Sequence, residues 1–506
     1  MTPSQRIVVN TTAQYTRTVI NVCLSLYSTR LVLAALGQTD FGIFSVVAGV
    51  VSMLAFMTNA LVTTTQRYLS FYHGKGDLAF VSHVFGNSLL LHILIGVCVF
   101  SVLGVLAYPI VYGMLNIDAG RETAAMFVYF SAIFILMLIF ITAPFRALFI
   151  ARENIVYISV IDVLDGVFRL LIAAFLVYFT SHDKLITYSV LLIGISLFNL
   201  LAFAGYALRH FAECHIPKWR EFDKSFIKDL GGFAGWTVYS SGCVIIRNQG
   251  IAVLINVFCG AIGNAAYGIA QQVSGAVAFL STSIVNAINP QIMSAEGQGN
   301  RARMLQLAEY ESKYAFLLLS MISIPLIFEM ETILRIWLTE VPEYAVSFCQ
   351  LMLLAAIFDQ LSIGLTSANQ AIGQIKVFTL WFYSFKLFTL VGIGICLYVG
   401  VPVTTSLWCY VGMELFGSVL RLVLMKYQAD INILQFIRNV CYRVIVPFIT
   451  MAAISYVSVH YITIPYRFMI TIILSALGGS IAIWFTSLQM TEKQSVYEIV
   501  RRIKRH

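Results

Sequence analysis

"FGIFSVVAGVVSML", Phe41 to Leu54, returns later in the chain as "YGIAQQVSGAVAFL", Tyr267 to Leu280. At a constant spacing of 226 residues, Gly42 matches Gly268, Ile43 matches Ile269, Val47 matches Val273, Gly49 matches Gly275, Val51 matches Val277 and Leu54 matches Leu280. With small gaps the likeness continues into "GKGD" (Gly74 to Asp77) against "GQGN" (Gly297 to Asn300). Apolar matches arise readily by chance, but matched glycines followed by a matched turn do not. The chain therefore reads as an internal duplication.

Composition says what is duplicated. The 506 residues are 59% hydrophobic and 11% charged, with a mean hydropathy of +0.85, whereas roughly a quarter of the residues in a soluble domain are charged. A hydrocarbon core about 30 Å thick needs about 20 apolar residues per helix. Fourteen runs qualify: 10–34, 41–66, 83–108, 124–149, 155–179, 185–208, 234–257, 264–292, 313–337, 345–371, 376–399, 404–427, 440–461 and 466–488. Each far exceeds the roughly ten alternating residues of a membrane β-barrel strand. The expected fold class is an all-α polytopic membrane protein.

Six helices separate the two copies of the repeat, so the second enters the membrane in the same direction as the first. This is a parallel repeat about the membrane normal, with a site expected between the halves. The organisation predicted is a six-helix lobe (1–208), an amphipathic cytoplasmic linker (209–233), a second six-helix lobe (234–428), two extra helices (429–490) and a basic tail (491–506). The linker assignment rests on Trp219, Phe222, Phe226 and Leu230 at helical spacing, interleaved with Lys218, Arg220, Lys224 and Lys228. "YEIVRRIKRH" (Tyr497 to His506) reads as a polybasic interfacial tail facing membrane lipids.

Lys and Arg set the orientation. With the N-terminus inside, cytoplasmic segments hold twenty-two and outer segments five, which places both termini in the cytoplasm. The net charge of +8 is then a topology signal and does not call for nucleic acid. The first residues contain no uninterrupted apolar core ending at a small-residue cleavage site, so they are not read as a signal peptide. Nine scattered cysteines with no C-x-x-C pair make no metal framework. The longest connection, Arg209 to Gly232, is too short for a catalytic domain, and "HGKGD" (His73 to Asp77) lacks the phosphate-loop pattern. "RHFAECH" (Arg209 to His215) reads as solvated side chains rather than a metal site. No enzyme, catalytic residue or cofactor is expected, and energy would have to come from a proton or sodium gradient or from the membrane potential.

"SLYSTRLVLAALGQTDFGIFSVVAGVV", "TTTQRYLSFYHGKGD", "RNQGIAVLINVFCGAIGNAAYGIAQQVSGAV" and the following "NPQI" resemble bacterial polysaccharide-biosynthesis flippases of the multidrug/oligosaccharidyl-lipid/polysaccharide exporter superfamily. The resemblance covers essentially the whole chain. It implies two lobes in a V-shaped arrangement and alternating access in the bacterial inner membrane. It also implies, as substrate, an undecaprenyl-diphosphate-linked oligosaccharide carried to the outer leaflet, with polysaccharide assembly machinery as a partner and the two extra helices bordering a groove for the polyprenyl tail.

Five cationic side chains are left over from the count of cytoplasmic and outer charges and lie well within the helices: Arg17, Arg169, Arg247, Lys386 and Arg421. Arg17 lies about ten residues into the first helix, hence about 15 Å deep, and Arg247 is placed within one helical turn of its repeat equivalent. A guanidinium at such depth costs at least about 2.5 kcal/mol in lipid, so it faces water, a ligand or a partner. Two readings stand for each arginine: a structural pair with a carboxylate, or a fork for the substrate diphosphate, assisted by Gln14, Asn248 and Gln249. Asp162, Asp165 and Arg169 share one face of the fifth helix. Asp165 is expected to pair with Arg169, leaving Asp162 as the freer carboxylate for a proton or sodium ion. Aligning "ENIVY" (Glu153 to Tyr157) with "QIKVF" (Gln374 to Phe378) brings Asp165 opposite Lys386, a pairing that would close the lobes. Asp359 and Glu414 are further mid-depth candidates for coupling or for pairing with Lys386, and Arg421 is expected to snorkel. The competing functions are a cation-coupled drug exporter, for which an acidic cavity is expected, and a polysaccharide polymerase or ligase, for which a large outer loop is expected.

Overall fold

The computed structural model describes residues 3–493 apart from 53, 115–119, 179–182, 216, 218–221, 339–340, 463, 465 and 491. Its regular structure is helical throughout these residues: α1 (Pro3–Ser52), α2 (Ala55–Lys75), α3 (Leu78–Val105), α4 (Glu122–Ala151), α5 (Ile155–Tyr178), α6 (Lys184–His210), α7 (Lys224–Gly297), α8 (Arg301–Phe328), α9 (Met330–Trp337), α10 (Ala345–Gln360), α11 (Ile363–Ile372), α12 (Ile375–Tyr398), α13 (Val403–Ser406), α14 (Trp408–Ala429), α15 (Ile433–Phe436), α16 (Tyr442–Tyr461) and α17 (Arg467–Ala482).

The duplication is written into the breaks between helices. α1 is interrupted at Gly37 (φ 76°, ψ 175°) and α7 at Gly260 (φ 66°, ψ −163°), backbone conformations that only glycine adopts cheaply. α2 ends at Gly76 (φ 80°), after which the Asp77 carboxylate accepts the Phe80 N–H at 3.0 Å and starts α3. Gly299 (φ 73°) and Asn300, which accepts the Arg303 N–H at 3.0 Å, do the same before α8. All three positions, Gly37/Gly260, Gly76/Gly299 and Asp77/Asn300, are 223 residues apart.

Among the described residues ten helices are long and apolar enough to cross a membrane, or twelve when the bent pairs 262–279 with 281–297 (42°) and Ala345–Gln360 with Ile363–Ile372 (44°) each count as one span. Two of the fourteen expected runs account for the difference. α5 carries Asp162, Asp165 and Arg169 within any stretch of span length, and the run 41–66 is divided between the end of α1 and the start of α2.

The chain forms two compact units, Val8–Val238 and Tyr239 onward. In the first, Phe85, Phe149, Phe203 and Leu69 lie in one apolar core, and Tyr129, Phe140 and Val111 in another. At one end of this unit Arg121 joins Asp40 and Asp183, the latter also capping α6 through the Leu185 and Ile186 N–H groups. In the second unit, Phe348, Leu353 and Ile393 form one core and Phe378, Phe382 and Phe436 another. α16 and α17 pack on each other and on α8. They are tied there by Arg467 and Thr471, which donate to Glu329, and by Glu492, which accepts from Lys313 at 2.5 Å and Tyr314 at 2.7 Å.

The linker differs from its expected form. Residues 224–233 are the first turns of the span Lys224–Gly260, started by Asp223, whose carboxylate accepts the Ser225 and Phe226 N–H groups. Phe226 packs edge-on against Tyr68 and Phe80, and Leu230 is buried in the same core, so these two apolar positions serve helix packing, while Phe222 is exposed. Trp219 and the basic tail from residue 494 lie outside the described residues.

Candidate functional site: the charged clusters of the two lobes

In the first lobe, α1 and α5 approach through Gly166, where an added Cβ would lie 2.8 Å from Asn21 Oδ1. One turn earlier on each helix, Arg17 and Asp162 meet, Nη1 to Oδ2 at 2.7 Å. Arg146 from α4 grips the same carboxylate with both ends of its fork, at 2.8 and 3.0 Å, and lies over the Phe203 ring. Two guanidinium groups thus share one carboxylate, leaving a local surplus of positive charge. The cluster is half-buried: side-chain exposure is 20% for Arg17 and Asp162 and 34% for Arg146. Arg17 borders two openings. One is an apolar groove of about 580 Å³ whose walls, Val9, Ala13, Val156, Val160 and Leu164, come from α1 and α5. The other, about 420 Å³, is lined by Thr18, Asn21, Ser25 and Asp162.

Asp162, expected as the freer carboxylate, is therefore the most heavily neutralised group of its helix. The sequence places it near Arg17 only through tertiary packing, which periodicity does not reveal. Asp165 accepts from Arg169 Nε and from Asn199 Nδ2, each at 2.6 Å.

In the second lobe, α7 meets α12 through Gly250, where a Cβ would lie 2.7 Å from Leu390 Cδ2. One turn earlier, Arg247 pairs with Glu414 of α14, donates to Tyr410 Oη at 2.9 Å and lies over that ring. Lys386 bridges Asp359 and Glu414, at 2.9 Å to each. Arg421 donates to the Asp359 carboxylate at 2.9 Å and to its backbone carbonyl at 2.6 Å. Here three cations share two carboxylates, and Arg247, Lys386, Glu414 and Arg421 are all buried, Arg421 at 2% exposure. Arg421 does not snorkel, because Asp359 and Ser362 offer it acceptors within the lobe. Asp165 and Lys386 each have their partners within their own lobe.

The matched breaks also correct the depth of Arg247. It stands thirteen residues before Gly260, whereas Arg17 stands twenty before Gly37, a difference of about 10 Å along a helix where one turn or less was expected. α5 and α12 begin at Ile155 and Ile375, each after a left-handed residue, Glu153 (φ 56°) and Gly373 (φ 86°). Their spacing is 220, so Gly166, not Asp165, is the counterpart of Lys386. Of the remaining expected ligands, Gln14 is buried, Asn248 accepts from Arg247 Nε at 3.2 Å, and Gln249 is exposed. Arg146 was missed as a site residue because it counted as a cytoplasmic charge; its place inside the run 124–149 was the available signal.

Outside the spans, Arg152 clamps the linker by a two-pronged pair with Glu213, at 2.6 and 2.7 Å. Burial alone would raise the Glu213 carboxyl, but the Arg152 guanidinium holds it below the usual carboxylate range. Burial pushes the neighbouring Cys214 thiol up to about 12, so it is a poor thiolate ligand.

No protein-family model and no curated protein sequence matches the chain. Solved structures do. A MATE transporter in complex with MaL6 superposes with a TM-score of 0.73 at 11% identity, over 85% of this chain and 97% of that one. A MOP-superfamily transporter from Pyrococcus furiosus, described as having a binding pocket of reverse polarity, gives 0.71 at 13% identity over 85% and 96%. An outward-facing multidrug resistance MATE transporter of the MOP superfamily gives 0.70 at 13% over the same shares. The chain thus has the two-lobed, all-helical fold of MOP-superfamily transporters and is a multi-pass membrane protein.

Proposed function

We propose that the protein is a flippase that moves an undecaprenyl-diphosphate-linked oligosaccharide from the inner to the outer leaflet of the bacterial cytoplasmic membrane. Both termini would face the cytoplasm, and alternating access would be coupled to an ion gradient or to the membrane potential. The observation that carries this reading is the Arg17–Asp162–Arg146 cluster: two forks on one carboxylate, half-exposed, beside an apolar groove. A positive surplus favours a diphosphate, which both forks can engage bidentately, and an apolar groove alongside suits a polyprenyl chain. Arg247 is assigned a structural role, since its guanidinium is already satisfied by Glu414 and Tyr410.

A cation-coupled multidrug exporter is the second reading, and the likeness to multidrug resistance MATE transporters favours it. The positive cluster of the first lobe argues against it, because a cationic drug would meet repulsion there. The likeness to a MOP transporter whose reverse pocket polarity is described as suggesting a different function supports reading the substrate from the charge of the site and not from the fold. Proteoliposomes decide between them. Labelled undecaprenyl-diphosphate oligosaccharide should change leaflet only in vesicles containing the protein. Extrusion of a cationic dye with no movement of the lipid would overturn the flippase reading.

A further inference from the structure

Among the described residues, Glu311 is the buried acid outside both clusters with 0% exposure. α11 is pressed onto α8 at Gly364, where a Cβ would lie 2.0 Å from the Ala308 carbonyl oxygen, and the Gly364 N–H donates to Ser312 Oγ at 3.0 Å. This contact brings Ser367, one turn further along α11, against Glu311 of α8: Ser367 Oγ donates to Glu311 Oε1 at 2.7 Å. Asn289, from the last segment of α7, donates to the same Ser367 hydroxyl at 3.5 Å. Glu311 is 0% exposed, and its second oxygen, Oε2, is buried with no hydrogen-bond partner. Asn289 Oδ1, on a residue 8% exposed, is likewise unpartnered. Two buried acceptors on one polar chain therefore lack a donor.

The charged groups on the elements packed against α8 do not pair with Glu311. On its own helix, Glu309 accepts from Asn439 and Gln435, and Lys313 pairs with Glu492. From α10 and α14, Asp359 and Arg421 pair with each other. From α9, Arg335 pairs with Glu331; from α17, Arg467 pairs with Glu329; Arg443 of α16 donates to the Ser487 carbonyl; and Arg438, in the turn before α16, is exposed. α11 carries no charged side chain. Among the described residues no cation pairs with Glu311. An unpaired carboxylate in a dry interior is so costly that the group takes a proton instead. The repeat adds a second indication. Eleven residues after each matched cap, the first lobe has Ser88 and the second has Glu311, so the acid is a feature of one lobe and not of the fold.

We propose that Glu311, with Ser367 and Asn289, is a proton-binding site of the second lobe. The Glu311 carboxylate takes up one proton on Oε2 to become a neutral carboxylic acid when the α8–α11 contact is closed, and returns it when water reaches that contact. The proposal is independent of which substrate the protein carries. Infrared difference spectra of the purified protein between acidic and alkaline buffer, with no substrate present, test it. At neutral pH the wild type should show a protonated carboxylic acid band that is lost in Glu311→Gln. In Ser367→Ala, which keeps the acid, the same band should move, because its carbonyl loses a hydrogen bond. No band assignable to Glu311 at neutral pH, or an unmoved band in Ser367→Ala, would overturn the proposal. Displacement of the band by sodium chloride but not potassium chloride at fixed pH would overturn it in favour of a sodium site.

Discussion

The two lobes share their helix breaks and their caps, yet they handle intramembrane charge differently. In the first, Arg17, Arg146 and Asp162 stay a fifth to a third exposed and border open grooves. In the second, Arg247, Lys386, Glu414 and Arg421 are buried against aromatic rings and one another, and only the Asp359 carboxylate, 23% exposed, reaches the surface of the cluster. Both clusters hold one more cation than carboxylates. The surplus is therefore not what separates a ligand site from a structural network. Access separates them: a fork that reaches a groove can exchange its carboxylate for a phosphate, and one enclosed by Tyr410 and Phe382 cannot do so without opening the core.

The largest effect should come from breaking the sealed network. Glu414→Ala leaves Arg247 and Lys386 without a shared acceptor and should cost about 3–5 kcal/mol, seen as loss of folded protein or a sharply lowered melting temperature in detergent. Replacing Arg247 and Glu414 together with Met and Leu should recover most of that loss, since the uncompensated charge is gone. Next come the matched breaks. Gly37→Ala and Gly260→Ala force a side chain into a conformation nearly reserved for glycine and should each cost about 1–3 kcal/mol. Similar losses in thermal stability would support their equivalence, and a neutral result at one of them would weaken it.

Smaller effects probe the open cluster. Asp162→Asn removes a partly exposed pair, so its stability cost should be only about 1 kcal/mol, while both arginines are freed for an anion. Binding of the lipid-linked diphosphate should tighten several-fold and its release slow correspondingly, read by surface-immobilised binding kinetics. The smallest effect lies at the linker. Glu213 is held below the usual carboxylate range by Arg152, so the pair contributes its stability above the ordinary carboxyl pKa of about 4.3 and loses it as pH falls through the lower folded value. Melting temperature followed from pH 6 down to the acid limit should fall less steeply in Glu213→Gln than in the wild type.

Helix class, most spans and the duplication were legible because they rest on local signals: hydropathy over about 20 residues, and glycines and caps at fixed spacing. The cap pair Asp77/Asn300 was visible in "GKGD" and "GQGN" and was found at the starts of α3 and α8. What the sequence hid was the third dimension of charge. Asp162 and Asp165 differ by three positions on one helix, and nothing in that spacing says that the first meets α1 and α4 while the second meets Arg169 and Asn199. Depth was misjudged for Arg247 because the repeat carries a three-residue shift between the glycine breaks and the following helices, which changes the spacing from 223 to 226. Glu311 escaped notice because it lies two residues before the expected run 313–337, where an acidic residue ordinarily reads as solvated, whereas α8 begins ten residues before it, at Arg301.

The central claim is that the half-exposed forks of the first lobe hold the substrate diphosphate. The most direct test is the affinity of purified Arg17→Ala protein for undecaprenyl-diphosphate-linked oligosaccharide, measured beside its melting temperature. Arg146 still holds Asp162 with both ends of its fork, so no carboxylate is stranded and the variant should melt close to the wild type, while the surplus of positive charge is gone. Its affinity should fall at least about tenfold, the equivalent of one charge-assisted hydrogen bond of about 1.4 kcal/mol. Wild-type affinity in folded Arg17→Ala protein would contradict the claim.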